Sequence, residues 1–119
     1  MPRASVKTLA DQPSDHPMPR ITRQRVLGEQ MMISRVILEP GFAVPVHRHD
    51  NEQMVVMLSG HAEFDLEEDG STRTVDIRGG QVLVLPGGVP HGCRAIERCE
   101  ILDLFSPVSE KTGVDEARA

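Results

Sequence analysis

The stretch GFAVPVHRHDNEQ, from Gly41 to Gln53, sets two imidazoles one residue apart in a chain with only five histidines. In an extended segment alternate side chains point to one side, so His47 and His49 face together while Arg48 faces away. Gln53 follows four residues on, beyond a turn at Asp50 and Asn51, and can return to the same side. His91 lies farther along in a Gly/Pro turn. Three imidazoles and one amide oxygen form a ligand set for a single divalent transition metal ion, with Fe, Ni, Mn, Zn and Cu all admissible. Glu52, one residue off, is the alternative fourth ligand if the turn is shifted. His16 and His61, in a linker and on a charged strand face, read as ordinary surface histidines.

Such a set is neutral, so the ion's double charge stays uncompensated and favours a small anionic guest. An octahedral ion would keep two positions open for chelation and would act as template and Lewis acid. A second group of residues lies in ILDLFSP, where Ile101, Asp103 and Phe105 share one strand face. If that face lines a cavity, burial raises the Asp103 carboxyl pKa and suits it to proton transfer, against the pull of a nearby ion. Periodicity alone favours an Asp103 that faces water or caps a turn. Cys93, two residues from His91, shares its side in a regular strand, and a single thiol without a partner is weak evidence of redox chemistry.

These residues need rigid elements behind them. Ten glycines and nine prolines punctuate short runs of Val, Ile and Leu, and no helical spacing is sustained. The class is all-β, with strands expected near residues 6–9, 22–28, 31–39, 53–58, 61–67, 72–77, 81–85 and 97–105. EEDGS closes a hairpin with a charged outer face. MVVML and VLVLP are apolar on both faces, as in strands covered on both sides. One domain is expected: an N-terminal strand and Pro-rich linker over residues 1–19, a barrel over 20–108 and a polar tail over 109–119.

Eighteen acidic residues against thirteen basic ones, the latter scattered, give a net charge of -5 and argue against a nucleic-acid surface. No run approaches the roughly 20 apolar residues of a membrane-spanning helix. The start lacks a secretory core, so the expected address is cytoplasmic. Two cysteines are too few for a disulfide framework.

The wider spacing resembles a known family. Gly41, His47, His49, Gln53 and Gly60, with five, one, three and six residues between them, resemble the first cupin motif. Gly80, Pro86, Gly88 and His91, with five, one and two between, resemble the second. The resemblance implies a cupin double-stranded β-helix, a jelly-roll barrel in which the two motifs meet around one divalent metal. Gln53 stands where the family commonly has glutamate, and Ala95 stands at an asparagine position that is not a ligand.

LDLFSP after the second motif is similar to the small single-domain cupins of pectin and uronate degradation, which linearise 4,5-unsaturated uronates. That resemblance implies a catalytic Asp103 and a substrate-binding Phe105. The family's arginine falls near Ser109 and is missing, which leaves Arg94, Arg35 or Arg23 as substitutes, with Arg94 preferred as a substrate-binding residue. The leading expectation is therefore an enzyme performing ring opening or tautomerisation of a small carboxylated sugar or keto acid. An Fe(II)-dependent dioxygenase and a non-catalytic small-molecule-binding cupin are the alternatives. A homodimer paired through sheet edges or a swapped N-terminal strand is also expected.

Overall fold

Among the described residues nine short strands fold back on one another, with turn residues between the apolar runs. The computed structural model describes residues 2–108. In chain order the strands are β1 (Ile21–Leu27), β2 (Met32–Leu38), β3 (Ala43–His47), β4 (Glu52–Ser59), β5 (His61–Glu68), β6 (Ser71–Arg78), β7 (Val82–Leu85), β8 (His91–Ala95) and β9 (Cys99–Ser106). They form a five-stranded sheet ordered β1-β2-β9-β4-β7 and a four-stranded sheet ordered β3-β8-β5-β6. All pairings are antiparallel. The inner faces close on a core that includes Leu38, Phe42, Met57, Phe64, Leu85 and Ile101. This is the all-β jelly roll expected from the sequence.

Local chemistry explains the corners. Gly60, between β4 and β5, has φ +102°, and a Cβ there would stand 2.2 Å from the Arg98 carbonyl oxygen. Only glycine fits so close an approach in a left-handed conformation. Gly70, at φ +77°, closes the β5–β6 hairpin expected at EEDGS.

Three expectations require correction. Residues 6–9 form no strand: Val6 is 96% exposed and a short 3-10 turn spans Leu9–Asp11. The chain beyond it is held at Asp15, whose backbone exchanges two hydrogen bonds of 2.9 Å with Arg23. The Pro-rich stretch is thus strapped along the β1 edge. Strands β3 and β8 were not among those expected, because Pro45 and Gly92 break two short runs whose pairing is tertiary. MVVML and VLVLP are covered on one side only. Val55, Met57 and Leu85 are buried, whereas Met54, Leu58, Val82 and Val84 are 36–51% exposed. The tail over residues 109–119, with Ser109, lies outside the described residues.

Candidate metal centre

His47 closes β3, His49 follows it in a loop, and His91 opens β8. Strict alternation from the buried Val44 would turn Val46 inward and His47 outward. The β3–β8 register instead shifts between Val44, opposite Cys93, and His47, opposite His91. Two residues of β3, Pro45 and Val46, therefore oppose one of β8, Gly92, a bulge that reverses the facing and brings His47 inside. Gly92 accommodates it: a Cβ there would lie 3.0 Å from both the Val44 oxygen and the Val46 nitrogen.

The three imidazoles converge, each offering a ring nitrogen within 4.8 Å of the others. His47 and His91 lie 4.6 Å apart between ring centroids, and His49 and His91 lie 5.0 Å apart. Every Nδ1 has a backbone carbonyl two residues away: Pro45 at 2.9 Å for His47, Asn51 at 3.1 Å for His49 and Val89 at 2.9 Å for His91. A carbonyl only accepts, so each Nδ1 carries the proton and each Nε2 presents a lone pair, the tautomer that metal-ligating histidines use.

Gln53 completes the group from β4. Its Nε2 donates to Asp103 Oδ1 at 2.9 Å, which turns its Oε1 toward His49 Nε2 at 3.2 Å. With His49 protonated on Nδ1, two acceptors then face each other across 3.2 Å. A cation between them resolves that opposition, so the donor set fits a divalent metal and fits Gln53 as a fourth ligand. Glu52, the alternative, faces outward and is exposed.

Burial in this group has electrostatic consequences. Desolvation holds the His91 pKa down to about 4, with neighbouring His47 and His49 adding to the effect and the Val89 carbonyl opposing it. Desolvation pushes Asp103 up to about 6, against the Gln53 hydrogen bond and the Arg23 charge. Burial also raises the Cys93 thiol, with the Asp103 charge adding to it. Cys93 therefore stays a neutral thiol on the cavity wall and is no ready nucleophile.

The imidazoles open onto a small cavity of about 60 Å³. Beyond the ligand group its walls are apolar, with Ile21, Phe42, Val44, Phe64 and Phe105 prominent. Phe105 stands edge-on to His49, ring centroids 5.7 Å apart.

The arginines divide. Arg94 points to the outer face of its sheet, where it binds Asp65 at 2.6 Å and reaches Glu63 at 3.5 Å. It does not line the cavity, because Cys93 takes the inward place and alternation turns its neighbour away. The expected substrate-binding role of Arg94 is thereby corrected. Arg35 is also turned outward, onto Glu100. Arg23 is inward and 4% exposed, clamped by both Asp15 carboxylate oxygens. Sequence reasoning missed Ser34, which sits directly across from Asp103 on β2 and is buried with no partner for its Oγ. Its signal was a lone hydroxyl at an inward position of MISRVIL.

Comparison with known proteins agrees with this geometry. A cupin-domain family model matches residues 34–105. The structure of KdgF from Halomonas sp. superposes with a TM-score of 0.78 and 25% identity, over 91% of this chain and 97% of that one. Oxalate decarboxylase from Bacillus subtilis gives a TM-score of 0.78 at 21% identity. There the chain spans only 32% of the larger protein, a likeness of fold alone. No curated protein matches in sequence.

Proposed function

The chain belongs to the cupin family, and from that premise we propose that it is a metal-dependent enzyme acting on a small carboxylated sugar or keto acid. The reaction proposed is the ring opening and tautomerisation of a 4,5-unsaturated uronate to its linear keto form. One observation carries this reading: a carboxyl held near neutrality, Asp103, is hydrogen-bonded to the amide that completes a three-histidine group. The likeness to KdgF over nearly the whole of both chains supports the same substrate class, as does LDLFSP.

His47, His49, His91 and Gln53 would hold the ion, which when bound supplies Lewis acidity and an anchor for a carboxylate. The protein's own groups do the rest. Asp103, whose carboxyl burial pushes up to about 6 in the metal-free protein, would accept and return the proton. Gln53 fixes the orientation of that carboxyl through its amide hydrogen bond. Phe105 gives the sugar ring an apolar face to lie against, and the surrounding wall keeps bulk water from the reacting atoms.

The test is anaerobic NMR of metal-loaded protein with 4,5-unsaturated galacturonate. Conversion to the keto form faster than in a metal-stripped control supports the reading, and absence of turnover removes the substrate assignment. A second reading, an Fe(II) dioxygenase, is favoured by the apolar cavity wall, which offers a sugar's hydroxyls few partners. Substrate-dependent oxygen consumption distinguishes it.

A further inference from the structure

Ser34 of β2 and Asp103 of β9 stand directly opposite each other on the inner face of the five-stranded sheet. Met32, Ser34 and Val36 are the buried, inward residues of β2, and the buried Ile101 and Phe105 flank Asp103 on β9. Ser34 is only 1% exposed. Its Oγ is the one buried side-chain oxygen or nitrogen among the described residues that has no hydrogen-bond partner. An unbonded hydroxyl in the interior costs stability, so a serine at a place where alanine or valine would pack calls for a reason.

The carboxyl across from it has the matching vacancy. Gln53 Nε2 donates to Asp103 Oδ1 at 2.9 Å and is the one hydrogen-bond donor to that carboxyl among the described residues. Arg23 acts on Asp103 through its charge, while its guanidinium bonds both carboxylate oxygens of Asp15. Of the two residues directly opposite Ser34, Arg25 on β1 carries donors only and Asp103 carries acceptors. Side chains so placed on one face of an antiparallel pair have Cβ atoms about 4.5–5.5 Å apart. A turn of the serine about χ1, from one staggered well to another, therefore brings its hydroxyl to Oδ2.

We propose that Ser34 is a positioning residue for Asp103, its hydroxyl donating to Oδ2 while the Gln53 amide holds Oδ1. The carboxyl is then gripped from β2 and β4, the two strands that flank β9. One anchor lets the carboxyl plane swing about Oδ1. The second fixes it and still leaves each oxygen a lone pair with which to take the proton. Ser34 does not line the cavity, so it acts on the orientation of the reacting group and not on the capture of substrate. The inference rests on the reading of Asp103 as the proton carrier.

The kinetic test uses metal-loaded enzyme and 4,5-unsaturated galacturonate. Ser34→Ala should lower kcat roughly tenfold, with KM and metal content at wild-type values. Ser34→Thr keeps the hydroxyl and Ser34→Val has the same shape without it. The threonine variant should recover most of the wild-type kcat, and the valine variant should not. Wild-type kcat in Ser34→Ala, a change confined to KM, or equal kcat in the threonine and valine variants overturns the proposal. Should those two fail to fold, Ser34→Ala and the following measurement decide. In a crystal structure of the Mn(II)-loaded protein, Ser34 Oγ should lie about 2.5–3.0 Å from Asp103 Oδ2, and a separation beyond about 3.5 Å overturns the proposal. That distance does not depend on the substrate. A wild-type enzyme without turnover removes the uronate reading and leaves Ser34 to be decided by the distance alone.

Discussion

Gln53 is the residue on which the site's two halves meet, since its amide nitrogen serves Asp103 and its oxygen serves the histidine group. Asp103→Asn keeps that amide bonded while removing the proton carrier. Metal content should stay at the wild-type level while turnover falls roughly 100-fold or more, and unchanged turnover would end the role given to Asp103. The metal-free protein should also carry opposing pH signatures. His91 ionises near 4 when folded against an ordinary value of about 6.5. Between those values the unfolded chain takes up a proton that the folded chain refuses, so stability falls on acidification by an amount on the order of 3 kcal/mol. Asp103, raised from 3.8 to about 6, acts in the opposite sense and regains stability as pH falls through 6. Melting curves from pH 7.5 to 4 should therefore flatten in His91→Gln and steepen in Asp103→Asn. Parallel curves for wild type and both variants would refute these assignments.

At the level of the elements, the spacing of the cupin-like motifs already placed His47, His49, Gln53 and His91 in one group. It did so for a reason that is only partly local. Alternation correctly put His47 and His49 on one side, but which side is decided by the β3 bulge against Gly92, a contact between strands whose paired residues lie 44 to 51 apart in the chain. No single-strand pattern carries that information. Arg94 was misplaced for the related reason that its neighbour Cys93 holds the inward position. Gly92→Ala should press its new methyl on the Val44 oxygen and the Val46 nitrogen, both 3.0 Å away. The expected result is a folded barrel with metal affinity reduced roughly tenfold or more by displacement of His47. Calorimetric titration with Mn(II) checks this, and wild-type affinity would remove the bulge from the account.

For the molecule as a whole, the all-β class followed from turn residues and short β-branched runs, and the jelly roll from two motifs in the correct order. The apolar outer face and the N-terminal strap were not legible, since both depend on which strands end up adjacent. Asp15, half-exposed on the strap, clamps the buried Arg23 with bonds of 2.9 and 2.7 Å. Asp15→Ala should cost on the order of 2 kcal/mol and lower the melting temperature, whereas an unchanged melting temperature would make the strap incidental. The central claim, that His47, His49, His91 and Gln53 hold one divalent ion, is tested most directly by elemental analysis of the purified protein beside His49→Ala and His91→Ala. The account predicts one transition-metal ion per wild-type chain and almost none in either variant. Wild-type protein that takes up no ion even after anaerobic loading with Fe(II), Ni(II), Mn(II), Zn(II) or Cu(II), or variants that retain a full equivalent, would contradict it.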